Sequence, residues 1–158
     1  MTGAARYAFE DKVGNGTFGI VHKARDKRTL ETVAIKRVFQ DKKYKNRELE
    51  ILKSLNHPNV LKIRDSFYTY EGEKEYLNVV MDYFPCNLYE SLQKYRNKGE
   101  ISRLKLKVFA YQMFRGLLYL ETIDIAHRDM KPQNILVNDN NWNLLICDFG
   151  SAKKLTPG

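Results

Sequence analysis

The chain has 158 residues, a length that suits one compact core and buries about two thirds of the surface its unfolded form exposes. With 43% hydrophobic and 29% charged residues, 8 Phe and 10 Tyr, it carries enough core-sized side chains to exclude disorder as a description of the whole. The 27 Lys and Arg outnumber the 19 Asp and Glu, giving +8, which favours anionic partners such as phosphate, nucleic acid or acidic lipid without choosing among them.

Residues 6–39 are rich in β-branched and aromatic residues, broken by Gly14, Gly16 and Gly19 and by the polar stretch Asp26 to Thr32, which predicts three antiparallel strands. From Tyr44 to Leu55 the spacing becomes helical, with Leu49, Leu52 and Leu55 on one stripe and His57-Pro58 ending the run. Val60 to Tyr68 and Glu75 to Asp82 read as two further strands across the turn Tyr70-Glu71-Gly72-Glu73. After Pro85 two helices are expected, Asn87 to Asn97 and Ser102 to Thr122, the second opened by Ser102 as a cap. Ile135 to Val137 and Leu144 to Cys147 flank Asn138-Asp139-Asn140-Asn141 as a hairpin. The boundary falls at Asp82-Tyr83-Phe84-Pro85, dividing residues 1–84 from 85–158. The fold class expected is α+β: a five-stranded antiparallel sheet with one helix, then the start of a mainly helical part.

Two isolated cysteines, Cys86 and Cys147, form neither a disulfide framework nor a zinc site. The N-terminus offers no signal peptide, residue 2 is Thr where myristoylation needs Gly, and the densest apolar stretch, Val108 to Leu120, is broken by Gln112 and Arg115. A soluble protein of a reducing compartment, the cytoplasm or nucleus, without a membrane partner, is the expectation.

Gly14-Asn15-Gly16-Thr17-Phe18-Gly19-Ile20-Val21 fits G-x-G-x-x-G-x-V, in which missing side chains let backbone N–H groups approach phosphate oxygens. Alone it also fits an ordinary glycine-rich turn. A strand, not a helix, follows the glycines, so a hairpin over a nucleotide fits better than a dinucleotide-binding unit. Val33-Ala34-Ile35-Lys36 ends a strand in a lysine, and Glu48 on the next helix could pair with it so that the ammonium holds nucleotide phosphates; taken singly each would be a surface charge. His127-Arg128-Asp129-Met130-Lys131-Pro132-Gln133-Asn134 is the most specific stretch. Asp129 suits acceptance of a hydroxyl proton, Lys131 neutralisation of a transferring γ-phosphoryl, and Asn134 an oxygen ligand for magnesium. Asp148-Phe149-Gly150 supplies the second metal ligand.

Four motifs in this order resemble a eukaryotic protein kinase, and the resemblance covers nearly the whole chain. Lys131, two positions after Asp129, resembles the Ser/Thr form of the catalytic loop. The strings Gly14 to Gly19, Lys45-Asn46-Arg47-Glu48-Leu49, Tyr76-Leu77-Asn78 and Asp148-Phe149-Gly150-Ser151-Ala152-Lys153 are similar to the glycogen synthase kinase 3 family. The resemblance implies ATP and Mg2+ as cofactors and a protein or peptide substrate. It implies Met81 as gatekeeper, Asp82 and Phe84 presenting backbone groups to adenine, and Val21, Ala34 and Leu136 sandwiching the ring. Cys147 beside that pocket reads as a small buried apolar residue. It also implies that Arg47, Arg128 and Lys153 bind a phosphate already present on the substrate, two guanidinium groups and an ammonium being suited to that anion.

Only eight residues follow Gly150, so the sequence reads as a kinase cut short after the Asp-Phe-Gly motif. The helix from Ser102 to Thr122, with Val108, Phe109, Met113, Phe114, Leu117 and Leu118, is then expected to leave apolar surface uncovered and the chain marginally stable. A second reading is therefore a catalytically inactive kinase-like module that binds nucleotide or partner proteins. Nucleic-acid binding has only Lys42-Lys43-Tyr44-Lys45 behind it and ranks below both. Oligomeric state is left open.

Overall fold

The computed structural model describes residues 3–16, 19–40, 47–98 and 102–155, and of Gly3, Ala4, Asn15, Gly16, Arg47, Glu48, Asn97 and Lys98 the backbone alone. The chain forms two compact units, residues 1–53 with 62–83, and residues 54–61 with 84–158. The segment Ser54–Leu61, assigned to the first half by the sequence boundary, thus belongs with the second unit.

The first unit opens with a one-turn helix, α1 (Gly3–Arg6), followed by strands β1 (Tyr7–Gly16), β2 (Gly19–Asp26) and β3 (Thr32–Phe39), helix α2 (Arg47–Ser54), and strands β4 (Ile63–Glu71) and β5 (Lys74–Asp82). The five strands make one antiparallel sheet in the order β1-β2-β3-β5-β4. This is the expected sheet, except that β4 begins at Ile63 because Val60 bridges to Ile146 in the second unit, and that Tyr70 and Glu71, read as turn, still pair with β5; α1 is an addition too short to leave a periodic signal. The expected helix from Tyr44 lies outside the described residues as far as Asn46.

One face of the sheet carries its own core: Tyr7, Ala24, Val33, Ile35, Phe67 and Val80, all buried, with the Tyr7 and Phe67 rings stacked at 5.6 Å. An ionic lid closes the edge of this cluster. The Arg6 guanidinium bonds both oxygens of buried Asp26 and reaches Asp65 at 3.2 Å, while Tyr7 donates its hydroxyl to Asp65 at 2.9 Å. Arg6 holds the Asp26 carboxyl down at about 2, and burial together with the Asp65 bond pushes the Tyr7 hydroxyl up to about 12. Gly19 has a packing reason beyond loop mobility: a Cβ there would collide with the carbonyl of Arg37 on β3.

The second unit contains β6 (Cys86–Asn87), α3 (Leu88–Lys98), α4 (Arg103–Thr122), β7 (Ile125–Ala126), a 3-10 turn (Pro132–Asn134), β8 (Ile135–Asn138), β9 (Asn143–Ile146) and β10 (Lys153–Lys154). The hairpin expected at 135–147 is β8 and β9, joined at its edge by β6, and β10 pairs with β7. Its core is Cys86, Phe109, Ile135, Val137 and Leu144, flanked by Leu88, Met113 and Trp142. Ser102 takes the extended backbone of a cap, but its hydroxyl makes no capping bond; its carbonyl accepts from Leu106. At α3, Asn87 and Glu90 cap each other: Asn87 Oδ1 accepts the Glu90 N–H at 2.9 Å, and Glu90 Oε2 accepts the Asn87 N–H at 3.0 Å.

Helix α4 lies against the segment 54–61 and strand β9. Gly116 makes this possible, since a Cβ there would sit 2.9 Å from both the Asn59 carbonyl and Ile146 Cδ1. Of the apolar residues expected on this helix, Phe109 is buried while Phe114 and Leu118 are 65% and 64% exposed.

Lys105, flanked by Leu104 and Leu106, is buried, which its charge alone would forbid. Its ammonium meets Asp139 Oδ1 at 2.6 Å and bonds the Tyr95 hydroxyl, and Ser91 donates to the same Asp139 oxygen at 2.8 Å. Burial pushes the Asp139 carboxyl up, but the Lys105 and Ser91 bonds outweigh it and leave it below the usual carboxylate range. The pair joins α3, α4 and the β8–β9 turn. Its two halves are unequal, because the Lys105 side chain is 5% exposed and that of Asp139 22%. Asp139→Ala strands a buried ammonium and is expected to cost about 3 to 5 kcal/mol, whereas Lys105→Met leaves a carboxylate that still holds Ser91 and sees water, and costs less. Chemical denaturation of the two variants checks the order.

Candidate active site

The structure places the glycine-rich string as the β1–β2 hairpin, with Asn15 opposite Ile20 and Gly16 opposite Gly19; Thr17 and Phe18 lie outside the described residues. A Cβ at Gly14 would meet nothing within 4 Å. Cross-strand register then assembles one face of the sheet. Gly14 is opposite Val21, Val21 opposite Lys36, Lys23 opposite Ala34, and Ala34 opposite Met81. Paired residues share a face and alternate residues return to it, so Gly14, Val21, Ala34, Lys36 and Met81 stand on the same side of the sheet, opposite the Tyr7–Phe67 cluster. Ala34, Lys36 and Met81 are buried. Asp82 ends β5, and Tyr83 and Phe84 lead out of it, all three half-buried. The side chains of Asn15, Arg47 and Glu48 lie outside the described residues, Glu48 and Arg47 contributing the first turn of α2.

In the second unit Lys131 and Asn134 converge on the Asp129 carboxylate. Asp129 Oδ2 accepts from Lys131 Nζ at 2.8 Å and from Asn134 Nδ2 at 2.9 Å, and Asn134 also bonds the Asp129 carbonyl at 2.8 Å. The Lys131 bond, helped by Asn134, holds the Asp129 carboxyl below its ordinary value, and Asp129 in turn raises Lys131. Behind this group lies His127, buried: Nδ1 accepts the Asp129 N–H at 3.2 Å, Nε2 meets the Cys147 carbonyl at 2.9 Å, and the ring meets Phe149 edge-on at 4.9 Å. The Cys147 N–H returns to the Asn134 carbonyl at 2.9 Å. Asp148 follows directly and closes onto the Gly150 N–H at 3.4 Å.

Arg128 and Asp148 both have left-handed backbones, with φ of 66° and 61°. Such conformations cost about 1 to 3 kcal/mol each and persist only where neighbouring contacts impose them. Here the flanking His127, Asp129 and Cys147 are all fixed by hydrogen bonds. Arg128 Nε donates to the Ser151 carbonyl at 2.6 Å, and Lys153 pairs with Ala126, two residues before Arg128, across β10 and β7. Leu136 is half-buried on β8. Cys147, expected to be buried, is half-buried, because it stands just beyond the end of β9 where the chain turns toward Asp148.

Asn134 and Asp148 offer hard oxygen donors of the kind magnesium takes. The two Nδ2 bonds of Asn134 leave its Oδ1 as the ligand atom, so the donor set fits that ion. Among the described residues no group of three His, Cys, Asp or Glu could hold a metal. His127 and Phe149 were given no role by sequence reasoning, although both lie inside the motifs quoted; what marks them is burial and bonding partners 20 residues apart, which spacing does not display.

The chain belongs to the protein kinase domain family, whose model matches residues 7–158. It is 45% identical over 148 residues to the serine/threonine-protein kinase RIM11/MSD1 of Saccharomyces cerevisiae, covering 92% of this chain and 40% of that protein's length. The chain thus spans about two fifths of the curated relative it matches. The kinase-like fold read from the sequence, with its five-stranded sheet, is borne out.

The carboxylate arrangement yields a measurable titration. Replacing Lys131 with Met should move the Asp129 carboxyl back up toward its ordinary value of 3.8, followed by carboxyl-carbon NMR. Because the folded value is depressed, the ion pair stabilises above that ordinary value and is lost as pH falls through the folded one. The stability gap between the parent and Lys131→Met should therefore be full at neutral pH and close in acid.

Proposed function

We propose that this chain is the nucleotide-binding and catalytic-loop region of a Ser/Thr protein kinase that transfers the γ-phosphoryl of Mg-ATP to a protein hydroxyl. The observation that carries this reading is the Asp129 carboxylate, fixed through Oδ2 by Lys131 and Asn134 so that Oδ1 is left to the incoming hydroxyl. A carboxylate in that place orients the hydroxyl and takes its proton late in the transfer. Lys131, on the same oxygen, offsets the charge of the phosphoryl group as the new O–P bond forms and the bond to ADP breaks. Asn134 and Asp148 would hold magnesium, which neutralises the phosphates when bound. Lys36, with Glu48 orienting it, takes the α- and β-phosphates. Gly14, Asn15, Gly16 and Gly19 cover them; in the first unit this reading gives Val21, Ala34, Met81 and Asp82 to adenine contact, and in the second Phe84, Leu136 and Cys147.

Preference for Ser and Thr rests on Lys131 and on the likeness to the yeast serine/threonine-protein kinase. The reading that the substrate already carries a phosphate draws on two cations of one short region: Arg128, bonded to the Ser151 carbonyl, and Lys153, paired with Ala126 two residues before Arg128. The compartment this reading fits is the cytoplasm or nucleus.

Calorimetry should show ATP binding that strengthens with magnesium. Lys36→Met should weaken ATP in the presence or absence of the ion, and Asp148→Asn should abolish the magnesium effect; both should remove phosphoryl transfer from radiolabelled ATP. ATP affinity untouched by either change would refute the assignment. For the primed site, Arg47→Ala should slow a pre-phosphorylated peptide roughly 10- to 150-fold more than its unphosphorylated form, the loss of one charge-assisted contact. Equal slowing of both peptides would remove Arg47 from the phosphate pocket.

A further inference from the structure

Strand β4 contains one irregularity. Ile63 is paired with Met81 and Asp65 with Val80, so Arg64 is an extra residue with no partner of its own on β5. Without this bulge Arg64 would face Val80 and point into the Tyr7–Phe67 cluster, where a guanidinium could not be solvated. The bulge instead gives that position to Asp65 and re-aims Arg64 along the end of the sheet, the use bulges commonly have beside functional sites. There its Nε bonds Asp82 Oδ1 and its Nη1 bonds Glu31 Oε2 at 2.6 Å. Glu31 directly precedes β3, and Asp82 is the last residue of β5 and the register partner of Val33. One planar fork thus ties the ends of three strands at the point where the chain leaves the sheet.

We propose that Arg64, carried on the β4 bulge and bonded to Asp82 and Glu31, is a positioning residue that fixes Asp82–Phe84 for adenine recognition; this rests on the nucleotide reading above. The side chains involved are 39%, 41% and 55% exposed, so the clamp adds little to global stability. Its effect is local: it pre-orders a segment whose backbone must be in place before the ligand arrives, and pre-ordering raises affinity without new contacts.

Arg64→Met should weaken adenosine and ATP by the same factor, about 3- to 10-fold, with turnover at saturating ATP unchanged. Lys36→Met, by contrast, should weaken ATP and leave adenosine alone. Arg64→Lys keeps one ion pair and should fall between parent and Met. Raising the salt concentration should shrink the difference, because the pairs are exposed. Amide exchange across Asp82–Phe84 should quicken in Arg64→Met and in Glu31→Gln, which keeps the clamp testable should the Met variant fold poorly. Unchanged exchange in both variants overturns the clamp, as does an adenosine affinity that Arg64→Met leaves alone. If the parent binds neither adenosine nor ATP, the nucleotide reading fails, and exchange still decides whether Arg64 orders the segment.

Discussion

A single buried imidazole holds the candidate site of the second unit together. His127 accepts the Asp129 amide at Nδ1, so its proton is on Nε2 and is donated to the Cys147 carbonyl, with Phe149 against the ring. Two segments distant in sequence, the loop bearing Asp129 and the turn bearing Asp148, are thereby tied to each other. The left-handed residues Arg128 and Asp148 follow from this. Each sits next to a peptide group the imidazole has already fixed, and the chain must turn sharply to leave it.

Elsewhere the same physics appears as carboxylates, one buried and one half-buried, tied down by cations at the ends of elements. Asp26 is held by Arg6 where β2 ends, and Asp139 by Lys105 in the β8–β9 turn. In both, additional donors share the load: the Arg28 N–H on Asp26, Ser91 on Asp139. A buried ion pair is favourable only when its remaining lone pairs are satisfied in this way. The pairs therefore fix which ends of which elements meet, while the apolar clusters supply most of the burial.

Most of the architecture was legible in the sequence because its longer elements carry clear periods and its chemistry sits in contiguous strings. Four strands of the sheet appeared near where alternation placed them and the helices after Pro85 near where the Ser102 cap and the apolar content placed them, whereas β4 runs Ile63–Glu71 in place of the expected Val60 to Tyr68. The two-residue strands β6, β7 and β10 did not, since two residues hold no period. The burial of Lys105 was hidden for a different reason: the acid that makes it possible is 34 residues away. The bulge at Arg64 was invisible as well, because an inserted residue in a strand alters pairing without altering composition. Within the candidate site, Asp129, Lys131 and Asn134 could be read together because they are local, whereas the bonds of His127 depend on a carbonyl 20 positions later.

The reciprocal bonds between Asn87 and Glu90 bear on the order in which the chain acquires structure. They close within three residues, so they require almost no loop entropy to form and supply the costly first turn of a helix. The β6–β8 pairing beside them joins residues about fifty positions apart and must wait for a much larger closure. Helix α3 can thus arise early as a local event, and the strand that precedes it is carried to its partner by an element already formed.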